Sequence, residues 1–516
     1  MPGGGLFTLV SYGAQNVILS GNPEMTYFYK TFKRYSHFSE ESVTTTFDGS
    51  NELSFEQPIQ IRLKIQRVAD LVRDMYFTFR LPDIYSKFFP QVEGVRTAQY
   101  NFAWVNYIGC QIIENVALIV GGQKIQEFDG TYILAKALED YDTDRLAKWK
   151  ILVGEVDELV NPAKGLYGGG SETVGYPTVY PNVTTVQQIN RPSIFGRDIT
   201  IPLPFFSNES TYQALPLIAL QYHDVEIQIT LRPIVDLYTF LDPNGYRVRW
   251  GYHQTASQTQ VQQNLPEYGA VQDPLGELRH FLTDIGTTVP ALNTWFLNPR
   301  LQATYVYLTE DERKTFASTP LSYLLYQVTS YNFPAVVSRD YLQLETHNPI
   351  NRLLIVPRRS DYIYRNSFNK WTNWWNDPQP PHIPTPALPP WANYFYATGL
   401  LVPQGQREII RGLRVLGDGN ELQEEKTGYY FEHIAPYRYA TGTGESGLYM
   451  YPFALTSPNT QPSGSINASR VRLFQVDVDP YPLPAGTNYV YDITIYVESI
   501  NWFVVSSGMG GLKYAL

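Results

Sequence analysis

Ile59, Ile61, Leu63 and Ile65 occupy every second position of one short stretch, with Gln60, Arg62, Lys64 and Gln66 between them. The alternation returns at Val225, Ile227, Ile229 and Leu231, interleaved with Asp224, Glu226, Gln228 and Thr230. It returns again at Met75, Phe77, Phe79 and Leu81, interleaved with Tyr76, Thr78 and Arg80. A period of two places apolar side chains on one face of an extended chain and polar ones on the other. Strands wet on one face belong to antiparallel sheets, because parallel sheets are buried on both. Composition agrees. Aromatic residues make up 15% of the chain, suiting a pleated, half-buried surface, and Gly 37 and Pro 37 supply turns. The sequence therefore predicts an all-β protein. Helical signals are few: one or two short helices within 131–152, and a clearer one at TEDERKTFA, 309–317, where Thr309 and Glu312 have capping-box spacing and acids fill the first turn.

The two halves of the chain share an order of parts. The first runs DMYFTFRLP, an aromatic-rich stretch, NVALIVGGQKIQEF, then DGTYI; the second runs NRLLIVPRR, a longer aromatic-rich stretch, GLRVLGDGNELQEE, then TGYYF. Each reads as a strand, a large loop, a strand, a tight turn at Gly121-Gly122 or Gly417-Asp418-Gly419, and a returning polar strand ending in Gly-x-Tyr (Gly130/Tyr132; Gly428/Tyr430). Such turns need positive φ, which glycine supplies. The shared order predicts duplication of one β-domain, and 516 residues leave room for two sizeable cores.

Several function classes are disfavoured. A formal net charge of -10 opposes a role in coating nucleic acid, where affinity comes mostly from phosphate neutralisation. Cys110 is the only cysteine, so no intrachain disulfide forms; it sits in a strand-like apolar stretch, and a buried inert thiol is the expectation. The start shows neither a charged n-region nor a long apolar core, Pro2 excludes N-myristoylation, and no apolar run reaches spanning length. Gly442, Gly444 and Gly447 spell G-x-G-x-x-G, but LYMYPFAL follows where a dinucleotide site needs a helix, so a turn is expected. The seven histidines form no metal-ligand spacing. Asp142/Asp144 and Asp477/Asp479 read as solvated acids, lacking the rest of an EF-hand loop. No cofactor and no catalysis are expected.

Two segments invite a functional reading. Near the start, Tyr27, Phe28, Tyr29, Lys30, Phe32, Lys33, Arg34 and Tyr35 mix rings with cations, a pattern suited to single-stranded nucleic acid but set in an acidic chain. At 368–399, Trp371, Trp374, Trp375 and Trp391 frame seven prolines. An exposed tip loop stiffened by proline is the expectation, with sugar binding as the functional alternative. Residues 165–185 and the polar stretch 236–290 read as two further tip loops. Asn182, Asn208 and Asn467 open N-x-S/T sequons, a number near chance for this length.

Blocks along nearly the whole chain resemble the major capsid proteins of nucleocytoplasmic large DNA viruses. They are GGGLFTLVSYGAQNVILSGNPEMTYFYKTFKRYSHF, WVNYIGCQIIENVALIVGGQKI, LPLIALQYHDVEI, YVYLTEDERKTFA, YPFALTSPNTQPSGSINASR and SSGMGGLKYAL, in that family's order. Asn16 stands where the family pattern has an acid, and 371–391 is an unfamiliar insertion. The resemblance implies two tandem eight-stranded antiparallel jelly rolls. It places an N-terminal arm at 1–40, a first jelly roll at 41–308, a linking helix at 309–320, a second jelly roll at 321–506 and a C-terminal tail at 507–516. A break near 240 is the alternative boundary. It further implies a structural capsid subunit in the virion, assembled in the host cytoplasm. Three chains would close into a pseudo-hexagonal capsomer that tiles an icosahedral shell with neighbouring capsomers, minor capsid proteins and an internal membrane as partners. On that reading the ring-and-cation arm makes contacts at the capsid base, without specific nucleic-acid binding. The alternatives from other classes are a carbohydrate-binding β-protein using the Trp-rich loop, and a cupin-type enzyme, disfavoured because the histidines do not cluster.

Overall fold

The computed structural model describes residues 3–25, 28, 30, 32–85, 102–160, 192, 194–242, 246–255, 267–271, 274–283, 287–373, 408–456, 461–483 and 486–514. The chain separates into two compact units, Met1–Ser39 and Glu40–Leu516. The small unit holds two short helices, Gly4–Val10 and Ala14–Ser20, and neither buries a residue.

The large unit contains two copies of one topology. In the first, eight main strands follow in order: Phe38–Thr46, Ile59–Lys64, Leu71–Arg80, Ile113–Val120, Gln123–Phe128, Asp198–Pro202, Val225–Leu231 and Arg300–Leu308. They form two sheets, ordered first-eighth-third-sixth, with the short strand Leu215–Pro216 added beside the third, and second-seventh-fourth-fifth. In the second copy the strands are Leu321–Phe333, Asp340–Leu344, Pro349–Arg359, Ile410–Gly417, Asn420–Thr427, Tyr449–Pro452, Phe474–Pro480 and Tyr491–Ser506. Their two sheets have the same two orders. The likeness extends to irregularities. The pairing of third with eighth strand slips in both copies, between Gln302 and Thr304 in one and between Ile350 and Arg352 in the other.

The strands predicted from alternation are present. Ile61 and Leu63 face inward with Ile227, Ile229, Met75, Phe77 and Phe79. The tight turns take positive φ at Gly121, Gly122, Asp418 and Gly419, as a two-residue hairpin requires. The paired Gly-x-Tyr glycines open helices rather than closing strands. A Cβ on Gly130 would lie 2.0 Å from the Cys110 carbonyl oxygen, and one on Gly428 would lie 2.5 Å from that of Ile410. Each glycine thus lets the segment after the fifth strand press against the entry to the fourth.

Other expectations are corrected. Cys110 lies in the helical turn Ile108–Gln111 rather than a strand, and is fully buried. The predicted helices occur at Gly130–Asp140, Thr143–Leu152 and Glu310–Ser318. Thr309 stands at the last helix's N-cap, but its side chain makes no capping hydrogen bond. Asp70 fixes that entry instead, accepting from Leu308 N at 2.9 Å and pairing with Arg313 at 3.0 Å. The tail residues Met509–Leu512 form a strand on Tyr491–Ser506. Asp477 and Asp479 are buried rather than solvated, held by Arg339, Arg414 and Arg411.

One apolar cluster fills the first barrel and continues through Tyr323, Leu354, Val356, Met450, Tyr496 and Phe503, which belong to the second barrel's strands. A separate cluster, including Leu353, Ile355, Val415, Val476 and Ile495, fills the second barrel's interior. The second barrel's first sheet is therefore buried on both faces.

Candidate functional site: the N-terminal arm, and the joint between the two barrels

The joint is built around helix Gly130–Asp140, all of whose residues are buried. Asp129 starts it, accepting from Tyr132 N at 2.6 Å, and its other oxygen accepts from the Tyr496 hydroxyl at 2.7 Å. The helix lies against the outer face of the second barrel's first sheet. There Arg352 is fully buried and holds two carboxylates from opposite barrels. It donates to Asp140 at 2.5 and 2.9 Å and to Glu498 at 2.6 and 2.7 Å. Tyr132 donates to Glu498 at 2.6 Å, and Lys136 approaches Asp140 at 3.4 Å and Glu209 at 3.2 Å. Burial opposes the charge of Arg352, but Asp140 and Glu498 outweigh it and hold the guanidinium pKa well above its ordinary value.

Glu139 lies beside this network with no solvent exposure, and neither carboxyl oxygen has a hydrogen-bond partner. Burial pushes its pKa up to about 8; Arg352 draws it down while Asp140 and Glu432 raise it. The helix end is closed by the second barrel. Gly442 N donates to the Glu139 carbonyl at 2.7 Å and Gly444 N to that of Leu138 at 3.0 Å. The G-x-G-x-x-G segment is thus a turn, as expected, whose backbone satisfies another domain's helix carbonyls.

Two further zones complete the joint. The edge strands Gln123–Phe128 and Leu321–Phe333 are bridged by side chains. Gln126 donates to the Tyr326 carbonyl at 2.8 Å, and Gln327 donates to that of Ile125 at 3.1 Å. Elsewhere Asn366 donates to the carbonyls of Val235 and Tyr238, each at 2.8 Å, and the Tyr364 ring packs 4.6 Å from Tyr252 and 5.0 Å from Tyr268. The stretch 236–290, read from sequence as a tip loop, thus includes short strands that pack on the second barrel.

The predicted site residues fall elsewhere. Phe28, Phe32 and Tyr35 are largely exposed, as are Lys30, Lys33 and Arg34, and Lys30 lies 5.9 Å from the Phe32 ring. Tyr27 and Tyr29 lie outside the described residues, as do Trp374, Trp375, Trp391 and Asn182. Trp371 is corrected: it is buried in the main core, its carbonyl pressed against Gly447, where a Cβ would lie 2.2 Å away. Asn208 is half-buried. Its amide is tied to the carbonyls of Leu203 and Met75 at 2.7 and 3.2 Å. Asn467 is exposed and caps a short turn by accepting from Ser469 N. Among the described residues, no group of three or more His, Cys, Asp or Glu could hold a metal ion.

Two barrels with strand orders first-eighth-third-sixth and second-seventh-fourth-fifth, in one chain, define a double jelly-roll protein. Comparison with known proteins agrees. The family of the major capsid protein N-terminus matches residues 26–260, and that of the large eukaryotic DNA virus major capsid protein matches 312–511. The major capsid protein of Paramecium bursaria Chlorella virus 1 is 26% identical, with 99% of each chain covered, and that of Phaeocystis pouchetii virus is 23% identical over the same shares. Among solved structures, PBCV-1 VP54 superposes with a TM-score of 0.62 at 21% identity, covering 95% of this chain and 100% of that one. The Faustovirus major capsid protein gives 0.60 at 12%, covering 96% and 94%. The chain belongs to the major capsid proteins of large eukaryotic DNA viruses, a structural family without enzymatic activity, and is a capsid subunit of the virion.

Proposed function

We propose that three copies of this chain close head to tail into a pseudo-hexagonal capsomer, and that such capsomers tile an icosahedral shell. The observation that carries this is the unequal fate of equivalent surfaces. Inside the chain, the first barrel's fifth strand and following helix cover the outer face of the second barrel's first sheet. The second barrel's own fifth strand, Asn420–Thr427, buries none of its residues, and the first barrel's first strand, Phe38–Thr46, likewise buries none. One exposed surface of the covering kind and one of the covered kind remain on each chain. Repeating the internal joint between chains consumes both, and a repeated heterologous contact forms a ring when its rotation closes. Light scattering tests this. A mass of about 177 kDa, three times 59.0 kDa, is expected, with a pseudo-hexagonal outline by electron microscopy; a stable single-chain mass overturns it.

We assign the boundary between the barrels to helix Glu310–Ser318, because every sheet draws its strands from one side of it. The arm, with exposed apolar residues Leu6, Phe7, Ile18 and Leu19 followed by Lys30, Lys33 and Arg34, is suited to contacts at the capsid base. Its partners there would be neighbouring capsomers, minor capsid proteins or an internal membrane, where basic side chains keep their heads in water and bury their stems. Deleting residues 1–38 should leave a folded trimer that fails to assemble into shells; loss of the trimer itself would make the arm an intersubunit clamp. Assembly in the host cytoplasm fits a fold whose one cysteine is buried and unpaired.

A further inference from the structure

We propose that Tyr437 of one chain seats in a cavity of about 370 Å³ on the outer face of the first barrel of the next chain. The inference deepens the trimer reading and rests on it. Its template is the internal joint, where the helix after the first barrel's fifth strand docks through its last turns, with Lys136, Glu139 and Asp140 buried against the second barrel.

The matching helical segment of the second barrel runs through Tyr430–Ile434 and Ala435–Tyr439. It has one satisfied face and one open face. Phe431, Glu432, Ala435 and Pro436 are buried against their own barrel, whereas His433, Ile434, Tyr437 and Arg438 form an exposed stripe. Tyr437 is 89% exposed and Ile434 41% exposed. A large aromatic held out on a rigid element is the kind of side chain that anchors an interface when a pocket receives it.

The receiving surface is identified by the same template. In the second barrel, the outer face of the third and sixth strands is filled by the first barrel: Leu354 and Met450, paired in register, both belong to the first barrel's apolar cluster. In the first barrel, the corresponding strands carry Tyr76 opposite Pro202, and both are only half-buried. These two residues line the cavity together with Trp149, Leu152, Leu203 and Pro204. This apolar part of the wall can take an aromatic ring; the rest is polar and includes Lys136, Asp140, Asn208 and, from the second barrel, Thr441. Asp74 and Glu209 also line the cavity, each already paired within the chain, with Arg73 and Lys136 respectively, and Arg145 and Lys148 line it as well. The occupant is a second copy of this chain, because the chain already buries the equivalent surface with its own equivalent helix.

Cys110 makes the test clean: it is buried, and burial pushes its thiol pKa far above the usual range, so it stays inert to maleimides. Tyr437→Cys and Leu152→Cys are introduced together, both at surface positions, and the assembled protein is treated with a short bismaleimide. The expected result is a ladder at two and three chain masses on a denaturing gel, absent from either single variant. Tyr437→Asp should separately lower the light-scattering mass from three chains to one, with circular dichroism unchanged. A trimer that gives no ladder and survives Tyr437→Asp overturns this contact while leaving the ring reading intact. A wild-type chain that stays at one chain mass overturns both.

Discussion

The two barrels share strand order, sheet pairing and even a slipped register, yet their outer faces differ sharply. The third strand of the first barrel, Leu71–Arg80, is buried at six of ten positions, and its Arg80 pairs with Asp198 in solvent. The third strand of the second barrel, Pro349–Arg359, is buried at nine of eleven positions, and its Arg352 pairs with Asp140 and Glu498 in complete enclosure. Topology is therefore set by what the copies hold in common, the inward alternation and the turn glycines. The position of each copy in the assembly is set by what faces outward. A duplicated domain can keep its fold while one copy's surface becomes the other's seat.

The sharpest way to break the comparison is at these two arginines. Arg352→Met leaves Glu498 a buried charge without its cation and Asp140 with Lys136 alone, and a loss of about 3–5 kcal/mol is expected. Arg80→Met removes an exposed pair worth about 0–1 kcal/mol. Denaturant titrations of the two variants should separate by several-fold in lost stability; equal losses would show that the joint is not what distinguishes the barrels.

Glu139 sharpens the same point through pH. Its carboxyl has an ordinary pKa of 4.5 when unfolded and about 8 in the joint. Between those values the unfolded chain releases a proton that the folded chain keeps, so stability falls as pH rises from about 4.5 to about 8 and then levels. Glu139→Gln keeps the shape and removes the proton. Its melting temperature should gain on the wild type steadily across that window, by an amount equivalent to a few kcal/mol at the alkaline end. Parallel profiles would place the Glu139 proton elsewhere.

The matched glycines come next. Alanine at either position drives a methyl into a carbonyl oxygen, and Gly130 is the tighter site at 2.0 Å against 2.5 Å at Gly428. Overpacking of this kind costs about 1–3 kcal/mol. Gly130→Ala should lie at or beyond the upper end, and Gly428→Ala below it. The reverse order would mean that the second copy, with its helix open to solvent on one face, relaxes less than the first.

Much of the fold was legible in the sequence because its signals are local. A period of two announces a strand, and adjacent small residues announce a hairpin turn, without reference to the rest of the chain. The family blocks added the domain plan. The joint was not legible, because its partners are far apart: Asp140 and Arg352 are separated by 212 residues, and Tyr132 and Glu498 by 366. One signal was available, an arginine inside the apolar run of NRLLIV, which must find a buried anion. Trp371 misled for the same reason. Its neighbours in sequence are those of an exposed loop, whereas its burial is decided by Gly447 and the main core, which local composition does not report. Asp477 read as solvated because the arginines that enclose it are remote in sequence, Arg339 just ahead of strand Asp340–Leu344 and Arg414 on Ile410–Gly417.

The smallest expected effects lie at the edge-to-edge bridge. Gln327 donates to the Ile125 carbonyl and accepts from the Asn501 amide at 2.7 Å, while Gln126 donates to the Tyr326 carbonyl and accepts from Phe206 N at 2.9 Å. Each glutamine thus joins one barrel's edge to the other's while its remaining polar atom is satisfied at home. Truncation to alanine removes a net hydrogen-bond contribution of about 1 kcal/mol and leaves a carbonyl short of a donor. The two bridges span the same pair of strands, so they should couple. In a double-mutant cycle, Gln126→Ala and Gln327→Ala together should cost less than the sum of the two alone, because the first loss already loosens the edge that the second would loosen. Strict additivity would show two independent contacts, and would place the strength of the joint in the Arg352 network and the apolar core around it.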